Sequence, residues 1–413
     1  MEACIAGVVE RERTRSAPTL RVALARVDHM PFAPSERVRF GTEVFERIHT
    51  PEWFPTGVRS VHELVDLELG QFSATGITPS MLANAARCCP HCTRVSVSHS
   101  GWLSIHGTVP SGKAVAQMQL IKRLHRQKPL PPLHVFYTAR DVPLTNPPDA
   151  SSMAACGFGP EPRSAPILSH SKRAAWTRGK GYAAVVAMPE NTFFQPYGGN
   201  PTWARSRSEL LSASQNIPWP SRDPRIGFFG SGSGYRKFLN YSGGENRNAT
   251  WAQRQAADRA RLPGTDLHIG FGSSWPRDPS MRTPRVSMCK QCGYKYLLHL
   301  MGTWPAHSNK LKQLLACGLV VMPQADFYEF WYPLLRPFEH FVPSANLALF
   351  NGNDLPGVHS CLQQHDDAAQ RIANASRAFI RDVLTPELLD EYMRALLERV
   401  SVLMVAGGAM MMR

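Results

Sequence analysis

The chain has 413 residues, 43% of them hydrophobic and 19% charged, which is typical of a folded protein with room for two cores. Its 46 lysines and arginines against 32 acidic residues give a formal net charge of +14, so we expect an anionic partner such as a nucleotide, an anionic glycan or nucleic acid. No apolar run reaches the roughly 18 residues that cross a bilayer, so no transmembrane segment is predicted.

Nucleic-acid binding is the least supported of these expectations. The basic residues are scattered along the chain and form no arginine-rich arm, zinc-finger spacing or RNA-recognition motif. We therefore predict no nucleic-acid partner and keep a basic nucleic-acid-binding protein as an alternative.

Apolar periodicity predicts strands and helices in alternation along the chain. Strands are predicted at residues 19–27, 133–138, 165–169, 182–188, 225–229 and 319–322. Helices are predicted at residues 60–69, with Ser60 as a cap, and at residues 114–124, 206–215, 308–316, 365–380 and 385–399. This alternation indicates the α/β class with parallel sheets, in which ligands bind at the carboxyl ends of the strands.

The proline-rich segment 218–224 is the best linker candidate in the sequence. We therefore expect an N-terminal domain over residues 19–217 and a C-terminal domain over residues 218–399. Residues 1–18 are charged and lack periodicity, so they are predicted to be disordered. Residues 400–413 are apolar but too short to span a membrane, and we interpret them as a docked or frayed tail.

A glycine-rich loop directly follows the strand predicted at residues 225–229. It reads Gly230-Ser231-Gly232-Ser-Gly, and glycines after a strand allow backbone amides to approach a pyrophosphate. The loop matches neither the dinucleotide fingerprint nor the Walker loop, so a flexible turn remains the alternative.

Two lysines lie at the start of the helix predicted at residues 308–316. Ser308 is placed to cap this helix, and Lys310 and Lys312 lie in its first turn. Cations and free amides at a helix N-terminus stabilise the charge of a departing diphosphate. The alternative is a solvated lysine face.

Asp141 follows the strand predicted at residues 133–138, between an arginine and Val142-Pro143. An aspartate at a strand end is placed to take a proton from an acceptor hydroxyl. The alternative is a turn cap, the commoner role of aspartate beside proline.

Nine cysteines do not fix the redox compartment. Cys89-x-x-Cys92 and Cys289-x-x-Cys292 suggest a zinc site, but the two pairs are far apart in the sequence. No metal is therefore predicted, and disulfides or free thiols are favoured. The first residues do not read as a secretory signal, nor the last as a retention signal.

Several segments, in their order and spacing, resemble one family: the capsule-associated-protein and protein O-glucosyltransferase group, glycosyltransferase family ninety. The resemblance covers roughly residues 57–398. The matching segments are Arg140-Asp141-Val142-Pro143, Phe228-Phe229-Gly230-Ser231, Cys292-Gly-Tyr294-Lys295-Tyr296, Ser308-Asn309-Lys310-Leu311-Lys312, Glu329-Phe-Trp-Tyr-Pro333 and His340-Phe-Val-Pro343.

The resemblance implies two Rossmann-like domains that face a cleft, the GT-B arrangement. It implies an inverting transfer of glucose or xylose from a UDP-sugar to a hydroxyl of a protein or polysaccharide, with Asp141 as the base and no metal or other cofactor. The donor site it implies consists of Gly230, Ser231, Gly232, Tyr294, Ser308, Lys310, Lys312 and Glu329. It also implies a disulfide between Cys292 and Cys317, and hence the oxidising lumen of the endoplasmic reticulum or Golgi.

The sequence departs from the family pattern at three positions. Phe229 stands where the family usually has arginine, which removes a phosphate contact. Met301 stands where related chains often carry a polar residue, and Lys310 replaces an arginine, which keeps the charge but loses the bidentate fork. A catalytically degenerate member that binds nucleotide or glycan is therefore the alternative function.

Overall fold

The structure, a computed structural model, describes residues 1–4, 56–107, 112–138, 163–173, 184–194, 201–230, 264–269, 286–299, 310–323, 327–344 and 355–409. The strand predicted at residues 19–27 lies outside these ranges. Four predicted site residues also lie outside them: Asp141, Ser231, Gly232 and Ser308.

The strands are β1 (Thr93–Val97), β2 (Leu103–His106), β3 (Leu133–Tyr137), β4 (Ile167–Ser169), β5 (Lys172–Arg173), β6 (Val185–Ala187), β7 (Asp223–Gly230), β8 (Thr265–Ile269), β9 (Tyr294–Leu298), β10 (Leu319–Pro323), β11 (Phe327–Tyr328) and β12 (Val342–Ser344). The helices are α1 (Val61–Leu69), α2 (Pro79–Cys88), α3 (Gly112–Gln127), α4 (Trp203–Gln215), α5 (Met288–Gln291), α6 (Lys310–Cys317), α7 (Leu355–Gln364), α8 (Asp366–Ala378) and α9 (Pro386–Ala406). Short 3-10 turns lie at Gly70–Phe72, Asn191–Phe193, Trp219–Ser221 and Tyr332–Leu334.

Each helix and strand predicted within the described residues is present, with its ends shifted by a few residues. The predicted cap of the first helix is confirmed: the Ser60 hydroxyl accepts a hydrogen bond of 3.1 Å from the amide of Glu63. Thr385 caps α9 in the same way, and Pro386 occupies its first position, where a missing N–H costs nothing.

The first sheet has the strand order β2-β1-β3-β4-β6. Strands β3, β4 and β6 are parallel, but β1 is antiparallel to both β2 and β3. The prediction of purely parallel sheets is therefore wrong here. A tight turn joins β1 to β2, in which Gly101 has a φ of +79° and Ser98 accepts from the amide of Trp102. So short a connection joins only antiparallel strands.

The second sheet has the order β12-β10-β9-β7-β8, and each of its ladders is parallel. Strand β10, which lies between β12 and β9, is buried on both faces, as expected for a parallel sheet covered by helices. Val320 packs into the larger hydrophobic cluster of the protein, and Leu319 and Val321 pack into a smaller one. Together the two sheets confirm the α/β class.

A short antiparallel ladder links the two sheets. Strand β5, which follows β4 of the first sheet, pairs with β11, which follows β10 of the second. The larger hydrophobic cluster is also common to both sheets, since it contains Val185 of β6 together with Leu314 of α6. Apolar packing and backbone hydrogen bonds therefore both join the first half of the chain to the second.

Helix α9 extends beyond its predicted end at residue 399. Of the two interpretations of residues 400–413, a docked or a frayed tail, the structure supports the docked one for residues 400–406, because the helix continues to Ala406 and buries Val400, Leu403 and Met404. This helix packs against α1 and β3 of the first half, and the hydroxyl of Tyr392 donates to the carbonyl of Ala187 at 2.6 Å. Helix α9 is therefore part of the first half's core.

The predicted linker at residues 218–224 is packed against the protein. Trp219 is buried and donates from Nε1 to the carboxylate of Asp366 at 3.1 Å. The guanidinium of Arg222 is buried and donates to the carbonyls of Ser214 and Cys317, each at 2.5 Å. Because these contacts fix the segment, it joins two elements without behaving as a free spacer.

Of residues 1–18, which are predicted to be disordered, the structure describes only residues 1–4, and these differ from the prediction. Residues 2–4 form a helical turn, and Cys4 is disulfide-bonded to Cys361 of α7. Among the helices in the described ranges, none has the length and apolarity to cross a membrane.

Candidate functional site

Two of the residues predicted to bind the sugar donor lie at the carboxyl edge of the second sheet. Gly230 ends β7 and is paired with Ile269, the last residue of β8. Lys310 begins α6, the helix that precedes β10, and its Nζ lies 5.0 Å from the centre of the Phe228 ring. The chain thus places a glycine and a cation at the edge where parallel sheets bind ligands.

Lys312 is buried among groups of the first half. Its ammonium donates to the hydroxyl of Thr192 at 3.1 Å and lies 3.8 Å from the carboxylate of Glu190. The centre of the Phe193 ring is 3.9 Å away. Burial lowers the pKa of Lys312, while the carboxylates of Glu190 and Glu329 act in the opposite direction. The sequence predicted that this lysine contacts the donor. In the structure its ammonium instead connects α6 of the second half to Glu190 and Thr192 of the first half.

Glu329 belongs to the same buried group. Its Oε2 accepts a hydrogen bond of 3.0 Å from Nε1 of Trp331, and its side chain is almost fully buried. Burial first, and then the charges of Glu329 and Glu190, raise the pKa of Tyr332 well above its usual value. We call Lys312, Glu190, Thr192 and Glu329 the Lys312 bridge.

A second buried polar group joins the same two halves through the β5–β11 ladder. Glu68 of α1 accepts from the ammonium of Lys172 at 3.4 Å, the hydroxyl of Tyr328 at 2.7 Å and the amide of Ala187 at 2.8 Å. These partners satisfy a carboxylate that lies wholly inside the protein. This group resembles the Lys312 bridge in burial, but none of its residues belongs to α6.

Tyr294 does not lie beside Gly230. It is the first residue of β9, and its hydroxyl donates to Asp266 at 2.5 Å, near the start of β8. Arg225 lies 3.1 Å from the same carboxylate. Burial, and then the hydrogen bond to Asp266, raise the pKa of Tyr294. Tyr294, predicted to contact the donor, therefore lies at the opposite end of the strands from Gly230 and Lys310.

Phe229, the departure from the family pattern, is a core residue. Its ring is buried and meets the ring of Tyr294 with centres 5.1 Å apart. The two rings lie over Gly227, where an added Cβ would stand 2.8 Å from Phe229 and 3.0 Å from Tyr294. Glycine at this position makes room for the pair.

The cysteines pair as disulfides in two places relevant to the predictions. Cys292 and Cys317 are joined, the pairing that the resemblance implies, and this bond ties the end of α5 to the end of α6. Cys89 and Cys92 are also joined, so neither thiolate is available for the zinc site that their spacing suggested. Cys289 is a free and exposed thiol.

The sequence reasoning missed the residues that follow β6. Glu190 and Thr192 stand just beyond a predicted strand, after Pro189. The argument that selected Asp141, a carboxylate at a strand end, applies equally to Glu190. Their partner Lys312 is distant in sequence, so no local pattern pointed to the pairing.

The fold and the site define a class: an α/β protein whose two five-stranded sheets are joined by buried polar contacts, with a glycine and a lysine at the carboxyl edge of the parallel sheet. The sequence model of the family described as Glycosyl transferase family 90 matches residues 56–408. The chain belongs to this family.

Curated relatives share about a quarter of their residues with this chain. Protein O-glucosyltransferase 1 of Homo sapiens is 27% identical over 252 residues, which make up 57% of this chain and 57% of that protein. O-glucosyltransferase rumi of Drosophila pseudoobscura pseudoobscura is 26% identical over 346 residues, 81% of this chain and 75% of that protein. The matched region therefore spans little more than half the length of the human relative.

Proposed function

We propose that this protein is an inverting glycosyltransferase that moves glucose from UDP-glucose to a hydroxyl of a protein. The observation that carries the proposal is the family match over residues 56–408, reinforced by relatives that are named protein O-glucosyltransferases. UDP-xylose is the second donor that the same reasoning allows, and a polysaccharide hydroxyl is the second acceptor.

The two halves supply the two sides of the reaction in this proposal. The halves are the N-terminal domain of residues 19–217 with α9 packed on it, and the C-terminal domain from residue 218. They face a cleft in the GT-B manner, with the acceptor on the first and the nucleotide on the second. The two sheets and their parallel strands support this arrangement.

The donor binds through its diphosphate. Lys310 and the amides of the loop that begins at Gly230 hold the two phosphates, with Ser231, Gly232 and Ser308 as further ligands. A lysine ammonium and backbone amides stabilise the negative charge that grows on UDP as it departs, so no metal is needed. Lysine binds the diphosphate as a point charge, whereas the family's arginine offers a planar fork.

Asp141 acts as the base. It follows β3 closely, and β3 lies at the centre of the first sheet between β1 and β4. Its carboxylate removes the proton of the acceptor hydroxyl, and that oxygen attacks the anomeric carbon from the face opposite UDP. The bond to the UDP oxygen breaks as the new glycosidic bond forms, so the anomeric configuration inverts.

The location follows from the disulfides. Three disulfides join cysteines that are both within the described residues, and such bonds persist in oxidising compartments. We propose the lumen of the secretory pathway.

The test is transfer from radiolabelled UDP-glucose and UDP-xylose to a panel of protein acceptors, with EDTA present, for the wild type and Asp141→Asn. We expect transfer from UDP-glucose by the wild type, none by the variant, and equal UDP binding by both in a thermal-shift assay. Retained turnover in Asp141→Asn would rule out Asp141 as the base. Absence of any UDP response in the wild type would overturn the proposed function.

A catalytically degenerate protein remains the second candidate because Phe229 packs in the core where the family usually has arginine. For such a protein we expect a UDP-specific rise in melting temperature without transfer to any acceptor and without hydrolysis of the donor. The assay above separates the two candidates.

A further inference from the structure

The ammonium of Lys312 is held by one short segment of the first half. Thr192 accepts from it at 3.1 Å and donates to Glu190 at 3.0 Å, so the hydroxyl connects the ammonium to the carboxylate. Phe193 closes the group from the side, with its ring centre 3.9 Å from Nζ. The charged groups are at least 98% buried, so this contact excludes water.

Helix α6 is thereby fixed at both ends. At its C-terminal end, Cys317 is disulfide-bonded to Cys292, and its carbonyl accepts from Ser214 at 2.9 Å and from Arg222 at 2.5 Å. In its first turn, Lys312 is the charged anchor. Lys310, the first residue of α6, lies at the sheet edge. The proposed function assigns the contact with the diphosphate to this lysine.

We propose that Lys312 and Glu190 are positioning residues for donor binding. They hold the first turn of α6 against the first half, and this fixes where Lys310 meets the diphosphate. A buried ion pair adds little net stability over apolar packing but has narrow geometric requirements, so it is suited to setting one position. The inference rests on the proposed function and adds the device that orients its donor site.

The chain offers a matched control in the second buried ion pair. Lys172 and Glu68 are as deeply buried as Lys312 and Glu190, with a nitrogen-to-oxygen distance of 3.4 Å, but Lys172 belongs to β5 rather than α6. Loss of either lysine leaves a buried carboxylate without its cation, so both variants lose stability. The positioning role predicts that donor binding changes only in the α6 variant.

The experiment compares Lys312→Met with Lys172→Met in the full chain. The melting temperature, the dissociation constant of UDP by calorimetry, and kcat and KM for UDP-glucose are measured for each. We expect Lys312→Met to raise the UDP dissociation constant and the KM by roughly tenfold or more, since small misplacements of a binding group cost this much. We expect Lys172→Met to leave both within about twofold of the wild type at a similar melting temperature.

Two further variants separate positioning from direct contact and from stability. If Lys312 itself contacted the donor, Glu190→Gln would free its ammonium and leave KM unchanged or lower; positioning predicts a higher KM. In the double variant Lys312→Met, Glu190→Met, both charges are gone, and we expect the melting temperature to recover while the KM stays high. This variant also carries the test if Lys312→Met does not fold.

Wild-type KM and UDP affinity in Lys312→Met, or in the double variant, would overturn the positioning role. An equal rise in KM in Lys172→Met would overturn it as well, because stability alone would then explain the effect. A wild-type protein that does not bind UDP would instead refute the proposed function. UDP binding by the wild type is therefore measured before any variant is compared.

Discussion

Lys310 and Lys312 are two positions apart on α6, yet their ammonium groups have different surroundings. Lys312 is enclosed by Glu190, Thr192 and an aromatic ring, whereas Lys310 lies by Phe228 at the edge of the sheet. The direction of a side chain on a helix changes by about 100° per residue, so neighbouring positions meet different environments. The difference assigns the two lysines different roles in the proposed site.

Asn191 is the second residue-scale feature, because it lies between the two partners of Lys312. It is fully buried, and neither its Oδ1 nor its Nδ2 has a hydrogen-bond partner in the part of the chain that the structure describes. An unpartnered buried amide carries its desolvation cost without compensation.

Replacement of Asn191 by leucine is therefore expected to leave the free energy of unfolding unchanged or to raise it by about 1 kcal/mol, measured by denaturant unfolding. The contrasting variant is Gln117→Leu, which removes the 2.6 Å hydrogen bond from its Nε2 to the carbonyl of Pro189. That change is expected to cost about 1–3 kcal/mol. A loss in Asn191→Leu as large as in Gln117→Leu would show that the amide has a partner.

At the scale of elements, helix α9 includes residues 400–406, which the sequence pattern assigned to a docked or frayed tail. Its apolar residues continue at helical spacing beyond residue 399, and Leu396, Val400, Leu403 and Met404 are buried against the first half. The same helix offers a matched pair of valines, since Val400 is buried and Val402 is 56% exposed.

Val400→Ala is expected to lower the free energy of unfolding by about 2 kcal/mol, because it removes two buried methyl groups and leaves a cavity. Val402→Ala makes the same chemical change on the solvent side, and we expect a change within about 0.5 kcal/mol. Denaturant unfolding of both variants measures the difference. Equal effects would mean that α9 is not docked at residue 400.

Helix α8 is joined to the second sheet through Asp366. Its carboxylate accepts from Lys295 at 2.8 Å, Tyr296 at 2.9 Å and Trp219 at 3.1 Å. Burial alone raises the pKa of Asp366, but these hydrogen bonds outweigh it and lower the pKa below the usual 3.8.

A lowered folded-state pKa means that Asp366 contributes stability above the usual aspartate pKa, and that this contribution is lost as the pH falls through the folded-state value. We therefore expect the melting temperature of the wild type to fall below about pH 4, and Asp366→Asn to show a flatter profile in that range. Asp367→Asn, on the same turn, serves as the control. A profile for Asp366→Asn that parallels the wild type would contradict this assignment.

At the scale of the whole molecule, disulfides and buried polar groups tie together parts that are distant in sequence. Cys4 and Cys361 are 357 residues apart, and their bond fixes the first residues to α7. The larger hydrophobic cluster and the β5–β11 ladder join the two sheets in the same way.

The double variant Cys4→Ser, Cys361→Ser is expected to lose up to about 5 kcal/mol of stability, because closing so long a loop removes much chain entropy from the unfolded state. The control is Cys289→Ser, which changes a free, exposed thiol and should leave the melting temperature unchanged. Non-reducing peptide mapping of the wild type checks the pairing directly. Equal melting temperatures for the double variant and the control would show that the bond does not constrain the fold.

Local pattern predicted helices α1, α3, α4, α6, α8 and α9 and strands β3, β4, β6, β7 and β10, because apolar spacing and caps act over a few residues. Ser60 and its helix are one example, and the strand that ends at Gly230 is another. Local pattern did not predict the other described elements, among them the buried strands β1 and β9 and the helices α2 and α7. The antiparallel placement of β1 was not predicted, since strand direction is set by pairing and not by composition.

The sequence by itself determined the α/β class, the order of the predicted elements and the family, because these depend on periodicity and on short motifs read along the chain. Only the tertiary structure decided which of the predicted site residues come together. It placed Gly230 and Lys310 at one edge, Tyr294 at the other, and Lys312 with Glu190 inside the protein. The physical reason is that a buried ion pair joins residues far apart in sequence, and its partners become neighbours only when both sheets have packed.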